Sequence, residues 1–404
     1  MIMQNILLLT TIYPLPQGNK GTAVCHFFAR EWVKMGYRVR VVHVQSVFPR
    51  PFYWLASLFR KQIAAKTGAV VYTRRDSKTS FYEMDGVSIM RVPVYKHKPH
   101  GPFSDRAIKK ALAELIEWNR SDGFVPDVVI GHFPNPQIEM LGELKEFYPG
   151  VKTCMVMHGD IEMVRRIYGE RLSVLLPKID MWGFRNDNVR KGFERRVAKV
   201  DNPFLCYSGI PEEYVTRQNT HTFETPLTRF VYVGEMIERK YPSVVVDALC
   251  KAYDDGSFHL TYVGEGDELG TIREKIRQLG LQGKVELLGR IPRDKIVEQY
   301  DKADCMVMIS RWEAYGLVYL EAMARGCITI ASRNEGFDGI IQDGVNGFLC
   351  KAGDAEELSS VVRRINALTA QERQMISEKA IETARELTDE KAAKRYIDDV
   401  TARM

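Results

Sequence analysis

Cysteine is too scattered in these 404 residues to organise a fold. The seven cysteines, Cys25, Cys154, Cys206, Cys250, Cys305, Cys327 and Cys350, are never closer than 22 positions. An odd count without Cys-x-x-Cys spacing argues against a disulfide framework and a zinc site, and suits a reducing cytoplasm. Long apolar runs are also missing, so no spanning helix is expected. The opening "MIMQNILLLTTIYP" lacks the basic region and small-residue cleavage site of a secretory leader. No repeat and no low-complexity segment is present. Acidic residues are scarce in residues 1–200, with 31 Lys+Arg against 18 Asp+Glu, a balance of +13; the remainder carries 26 against 34, or −8. A basic half joined to an acidic half suggests that the first half meets something anionic. It holds no nucleic-acid motif, which leaves a phosphorylated small molecule or a membrane surface.

What is present describes a soluble globular chain: 45% hydrophobic and 27% charged residues, at a length fit for two or three domains. "NILLLTTIYP" reads as a buried strand, "LPQGNKGT" as a loop, "AVCHFFAREWVKMG" as a helix closed by Gly36, and "YRVRVVHVQ" as the next strand. "PDVVIGHF", "KTCMVMHGD" and "PFLCYSG" continue the pattern. Near residue 208 it restarts, with "TRFVYVGEM", "FHLTYVGEG", "KVELLGRI", "DCMVMIS" and "ITIAS" as strands between helices. Such alternation implies α/β architecture, with parallel strands covered by helices. The expectation is two Rossmann-like, doubly wound parallel-sheet domains facing each other across a cleft. Their bounds are residues 1–207 and 208–386, with a C-terminal helix over 387–404 that crosses back to the first domain. The polar, turn-rich stretch over residues 208–229 suits an interdomain linker.

Two stretches carry chemistry. In "ISRWEAYGLVYLEAMARG" a helix starting near Leu317 leaves the amides of Tyr315, Gly316, Leu317 and Val318 without intrahelical partners, an anion site suited to phosphate. Glu321 lies one turn inside, where a carboxylate could accept two ribose hydroxyls, and Glu313 precedes the turn. The plainer alternatives are that Glu321 pairs with Arg325 and that Glu313 only favours the helix dipole. In "VYVGEMIERKYP" a strand ends at Gly234, and Arg239 and Lys240 follow before the next helix. Cations at the carboxyl end of a parallel strand belong at a ligand crevice, where they could clamp a diphosphate. An Arg-Lys pair elsewhere is usually a solvated surface feature.

These stretches together resemble the retaining glycosyltransferases of the GT-B fold, family four, most strongly over residues 228–350. Glu313 and Glu321 match that family's Glu–seven residues–Glu motif in spacing and surroundings. The resemblance implies that Glu321 holds the ribose of a nucleotide sugar and Glu313 the transferred sugar. Arg239 and Lys240 would neutralise the departing diphosphate, aided by the amides of Tyr315 to Leu317. The backbone of Arg290 and Ile291 would meet the base, and His158 in "MHGD" would lie beside the donor sugar. Gly18 and Gly21 would let a first-domain loop approach the donor and acceptor. Where the family usually has a small residue, often Gly, and then Phe after the first glutamate, this chain has Ala314 and Tyr315. No Asp-x-Asp occurs, so neither a metal nor another cofactor is expected; the cation pair would do the electrostatic work.

The resulting expectation is a retaining, metal-independent transferase acting on a nucleotide sugar donor and a glycan or lipid-linked acceptor, in cell-surface polysaccharide or glycolipid synthesis. A nucleotide-sugar epimerase, a phosphorylase and a non-catalytic nucleotide-sugar-binding protein are the alternatives. The expected location is the cytoplasm, with peripheral contact at the inner face of an anionic membrane left open. "PRPFYWLASLFRKQIAAK", residues 49–66, sets aromatics beside cations and suits either an interfacial helix or a core-packed one. "EMVRRIYGERL" and "NVRKGFERRV" read as a basic surface. His26 reads as ordinary packing.

Overall fold

Short runs rich in Val, Ile and Leu, each ended by turn residues, are too brief for helices and fit strands buried on both faces. The computed structural model describes residues 4–16, 23–49, 51, 53, 78–159, 161–219 and 221–404. It divides the chain into two compact units, Met1–Tyr207 with Ala392–Met404, and Ser208–Lys391. Gly18 and Gly21, and residues 49–66 apart from Pro49, Pro51 and Tyr53, lie outside the described residues.

In the first unit the strands are β1 (Asn5–Thr10), β2 (Arg38–Val47), β3 (Ser80–Met84), β4 (Val87–Tyr95), β5 (Val128–His132), β6 (Lys152–Met157), β7 (Met181–Phe184) and β8 (Phe204–Leu205). They form one sheet in the order β3-β4-β2-β1-β5-β6-β7-β8. All neighbours are parallel except β3 and β4. That hairpin adds an edge which the alternation of strands and helices does not foresee. Its Asp85-Gly86 turn, with both residues at positive φ, is nevertheless a hairpin signal. Order reverses between β1 and β5, the mark of a doubly wound sheet. The C-terminal segment completes this unit's core: Ala393, Tyr396, Ile397 and Val400 pack with Phe28, Trp32 and Phe204, and Trp32 Nε1 donates to Ala393 O at 3.0 Å.

The second unit has six parallel strands: β9 (Arg229–Val233), β10 (His259–Val263), β11 (Val285–Leu287), β12 (Cys305–Val307), β13 (Ile328–Ser332) and β14 (Phe348–Cys350). Their order is β11-β10-β9-β12-β13-β14, so chain direction through the sheet reverses between β9 and β12. Ligands of such sheets bind outside the carboxyl ends at that reversal. The loops leaving β9 and β12 are those with Arg239 and Lys240 and with Glu313.

Residues 208–229 are not a free linker. Ile210 exchanges backbone hydrogen bonds with Leu387 and Asp389, and Tyr214, Val215, Phe223 and Leu227 are buried. Two buried arginines hold the segment's carbonyls. Arg325 donates to those of Tyr214, Arg217 and Gln218, and Arg373 to that of Phe223. The polarity that suggests a linker is backbone satisfied by side chains more than a hundred residues away. Among the described residues no helix is long and apolar enough to cross a membrane.

Candidate functional site

The loop after β9 turns through a short 3-10 stretch, Glu238–Lys240, before the helix Pro242–Ala252. The loop after β12 comes alongside it, with Arg311 N donating to Arg239 O at 2.7 Å. This pairing brings Glu313 to both cations. Lys240 Nζ lies 3.5 Å and Arg239 Nη1 3.9 Å from Glu313 Oε2, with the Lys240 and Glu313 side chains only 13% and 14% exposed. These are ion-pair distances at the edge of, or beyond, a good hydrogen bond. Glu313 Oε2 and Arg239 Nη1 are buried without a hydrogen-bond partner. Buried groups of this kind usually find a partner in protein, ordered water or a bound molecule. Gly234 makes room for the cluster: a Cβ there would lie 3.2 Å from Met308 Sδ and 3.4 Å from Lys240 Nζ.

Glu313 is held from behind. Its amide donates to Glu335 Oε2 at 2.8 Å. Burial raises the Glu335 carboxyl's pKa, opposed by hydrogen bonds from the amides of Trp312 and Glu313. Trp312 takes positive φ (58°) and stays 70% exposed, with the Arg311 guanidinium 4.2 Å from its ring centroid. The helix then runs Leu317–Ala324 from Gly316, whose φ of 87° and whose approach to the Tyr319 ring leave no room for a side chain. Tyr319 N donates to Gly316 O, so the amides of Leu317 and Val318 precede the helix's first bond. Tyr315 turns inward instead, and its hydroxyl donates to Ser208 O at 2.7 Å.

Glu321 faces the other way, into a buried polar cluster. Arg293 Nη2 donates to Oε1 at 2.7 Å and Tyr300 Oη to Oε2 at 3.3 Å. Burial raises this carboxyl's pKa, and Arg293 and Tyr300 pull it back in part. The expected alternative partner, Arg325, is engaged elsewhere: its Nε donates to Asp301 Oδ1 at 2.7 Å. Arg325 follows the last residue of the helix, so the four-residue spacing does not bring its side chain onto the glutamate. The loops after β9, β10 and β11 are stitched side by side, Met236 N donating to Glu265 O and Gly264 N to Gly289 O. Arg290 and Ile291 therefore stand at the same carboxyl edge as Gly234. A depression of about 240 Å³, lined by Thr222, Phe223, Thr228, Arg229 and Asp304, lies at the opposite, amino edge. Its Arg229 and Asp304 satisfy each other.

His158 belongs to the first unit, just past β6. His132 Nδ1 lies 2.9 Å from His158 Nε2, and His132 Nε2 lies 3.1 Å from Tyr396 Oη. The Phe133 ring stacks on His158 at 4.1 Å. Burial, then His132 and Arg185, lowers the pKa of His158 well below the ordinary imidazole value, so it is neutral at pH 7. His26 is a hydrogen-bonded core residue, set between Tyr13 and Asp85. The basic surface of the two first-unit helices is locally neutralised: Arg196 pairs with Glu162, Arg190 with Asp187 and Glu194, and Lys191 with Asp187. Among the described residues no group of three His, Cys, Asp or Glu could hold a metal ion.

Residues 217–383 match the family model described as "Glycosyl transferases group 1". An "Amylovoran biosynthesis glycosyltransferase AmsK" from Erwinia amylovora is 25% identical over 368 residues, covering 85% of this chain and 86% of that one. The protein is a glycosyltransferase. An "N-acetyl-alpha-D-glucosaminyl L-malate synthase" from Bacillus anthracis is 34% identical over 124 residues, 31% of this glycosyltransferase and 32% of that relative. The two α/β units resemble solved GT-B structures in fold. Anabaena Alr3699/HepE, described in complex with UDP and glucose, aligns over 99% of this chain and 100% of its own, with a TM-score of 0.65 at 15% identity. The "lipopolysaccharide outer core galactosyltransferase WaaB" aligns over the same shares, with a TM-score of 0.67 at 13% identity.

Proposed function

We propose that this glycosyltransferase moves a sugar from a nucleotide diphosphate sugar to an acceptor, with retention at the anomeric carbon and without a metal ion. The acceptor would be a growing cell-surface polysaccharide or a glycolipid. The observation that carries this reading is the cluster of Arg239, Lys240 and Glu313 at the order reversal of the second sheet, two of its buried polar atoms lacking hydrogen bonds. A diphosphate with a sugar attached supplies what is missing: negative oxygens for the cations and a hydroxyl for Glu313. The UDP and UDP-glucose named for the Anabaena structures, and the amylovoran named for the Erwinia relative, support the donor and acceptor classes.

Charge accumulates on the diphosphate as the glycosidic bond breaks, so preorganised cations stabilise the transition state more than the bound donor. The amides that open the helix Leu317–Ala324 would add partial positive charge. Glu313 would fix the sugar's orientation and Glu321 the ribose. For His158 the proposed role is that of a neutral hydrogen-bonding group on the donor sugar. Calorimetry with bare UDP, GDP and ADP tests the division between the two glutamates. Glu321→Gln should weaken the nucleotide by roughly 1.5–3 kcal/mol, the worth of a charge-assisted bond, while Glu313→Gln spares it and lowers transfer. Equal weakening by both would contradict the division.

A further inference from the structure

We propose that Arg293 is the positioning residue for Glu321, keeping its carboxylate ionised and aimed so that its free lone pairs can accept both ribose hydroxyls of the nucleotide. The proposal rests on reading Glu321 as the ribose holder. A carboxyl group accepts from both hydroxyls of a vicinal diol with both oxygens free only as an anion, since protonation turns one oxygen into a donor. Glu321 is poorly placed to stay an anion: its side chain is 6% exposed, in an apolar helix between Leu320 and Ala322. A buried carboxyl without a cation takes up a proton instead.

Arg293 is the cation that reaches it. It is the first residue of the helix Arg293–Lys302, two positions beyond Ile291 at the carboxyl edge. Its guanidinium meets Glu321 Oε1 at 2.7 Å and lies 5.8 Å from the centroid of the Tyr214 ring. The other groups around Glu321 do not supply charge to it. Tyr300 donates one neutral hydrogen bond, Tyr214 contributes a ring with its own pKa raised by burial, and Asp301 and Arg325 are paired with each other. Each carboxylate oxygen accepts one bond here and can accept another. The Arg293 side chain is 43% exposed, so the pair stands where the buried cluster opens to solvent and a nucleotide could meet it. Arg293 thus joins the loop proposed to meet the base to the glutamate proposed to hold the ribose.

The test is calorimetry of UDP, GDP and ADP on the full chain, using the tightest of the three throughout, with wild type, Arg293→Met, Glu321→Gln and the double variant. Arg293→Met should weaken the nucleotide about tenfold at pH 7 but change affinity little once Glu321→Gln is present, the non-additivity of a residue acting through another. A contact from Arg293 to the nucleotide itself would give additive losses and overturn the proposal. The deficit should also depend on pH. Binding needs the ionised carboxylate, present above the Glu321 pKa and lost below it, and Arg293→Met moves that pKa up. The ratio of the two affinities, in which titration of the ligand's own phosphates cancels, should widen from about pH 8 to about pH 5.5. Arg293→Lys should restore most of the binding. A pH-independent deficit, or none, sinks the role of Arg293. If Glu321→Gln leaves affinity unchanged, or none of the three nucleotides binds, the ribose reading falls and the proposal falls with it.

Discussion

Trp312 joins a left-handed backbone, φ 58°, to a side chain that is 70% exposed. For an L-residue that backbone costs roughly 1–2 kcal/mol, and strain of this kind collects where a loop must aim its neighbours. The neighbour here is Glu313, and Glu335 clamps both amides from behind. Glycine carries no such penalty, although it frees the unfolded chain and loses the stacked Arg311. Trp312→Gly should therefore change unfolding stability by less than about 1 kcal/mol, against the 3–5 kcal/mol of a buried tryptophan. A loss beyond about 2 kcal/mol in urea titration would show that the ring supports the fold. At this scale the sequence reading reaches the residues with a fixed spacing or a strand-end position: Glu313, Glu321, Arg239 and Lys240. It does not reach Glu335 or Arg293, whose partners lie 22 and 28 positions away with no periodic signal between them.

Among the elements, the strands and helices of the second unit follow from apolar runs and turn residues. The strap over residues 210–227 does not, because its structure comes from arginine side chains rather than from its own periodicity. Arg325 is the main anchor, 1% exposed and hydrogen-bonded to three carbonyls and to Asp301. Removing one member of a buried charged network leaves the rest desolvated and unpaired, at a cost of about 3–5 kcal/mol. Arg325→Ala should lose that much in urea titration, and Arg325→Lys nearly as much, since an ammonium cannot span the four acceptors. A cost under about 1 kcal/mol would mean that the strap holds without it. The helix Leu317–Ala324 serves two ends at once. Its start, fixed by Gly316, lies against the Glu313 side chain, and its middle carries Glu321 into the polar cluster.

For the molecule as a whole, the alternation of strands and helices foretells two α/β units, whereas composition does not foretell how charge is used. The first half's surplus of +13 reads as a basic surface, yet several of its arginines are consumed by acids on the same or adjacent helices. A count along the chain cannot see such pairing. Residues 392–404, whose helix is expected from the sequence to cross back, lie with the first unit, where Tyr396 fills the core and lies 3.1 Å from His132. The role proposed for the second unit's two cations, Arg239 and Lys240, is read out by donor turnover. Release of nucleoside diphosphate from UDP-, GDP- and ADP-sugars would be measured with wild type, Arg239→Ala, Lys240→Ala and the double variant, beside the dissociation constant of the donor that turns over. Each single variant should lose roughly 2.7–4 kcal/mol of transition-state stabilisation, a hundredfold or more in turnover, with a much smaller loss of donor binding. Turnover in the double variant equal to that of wild type would contradict that role.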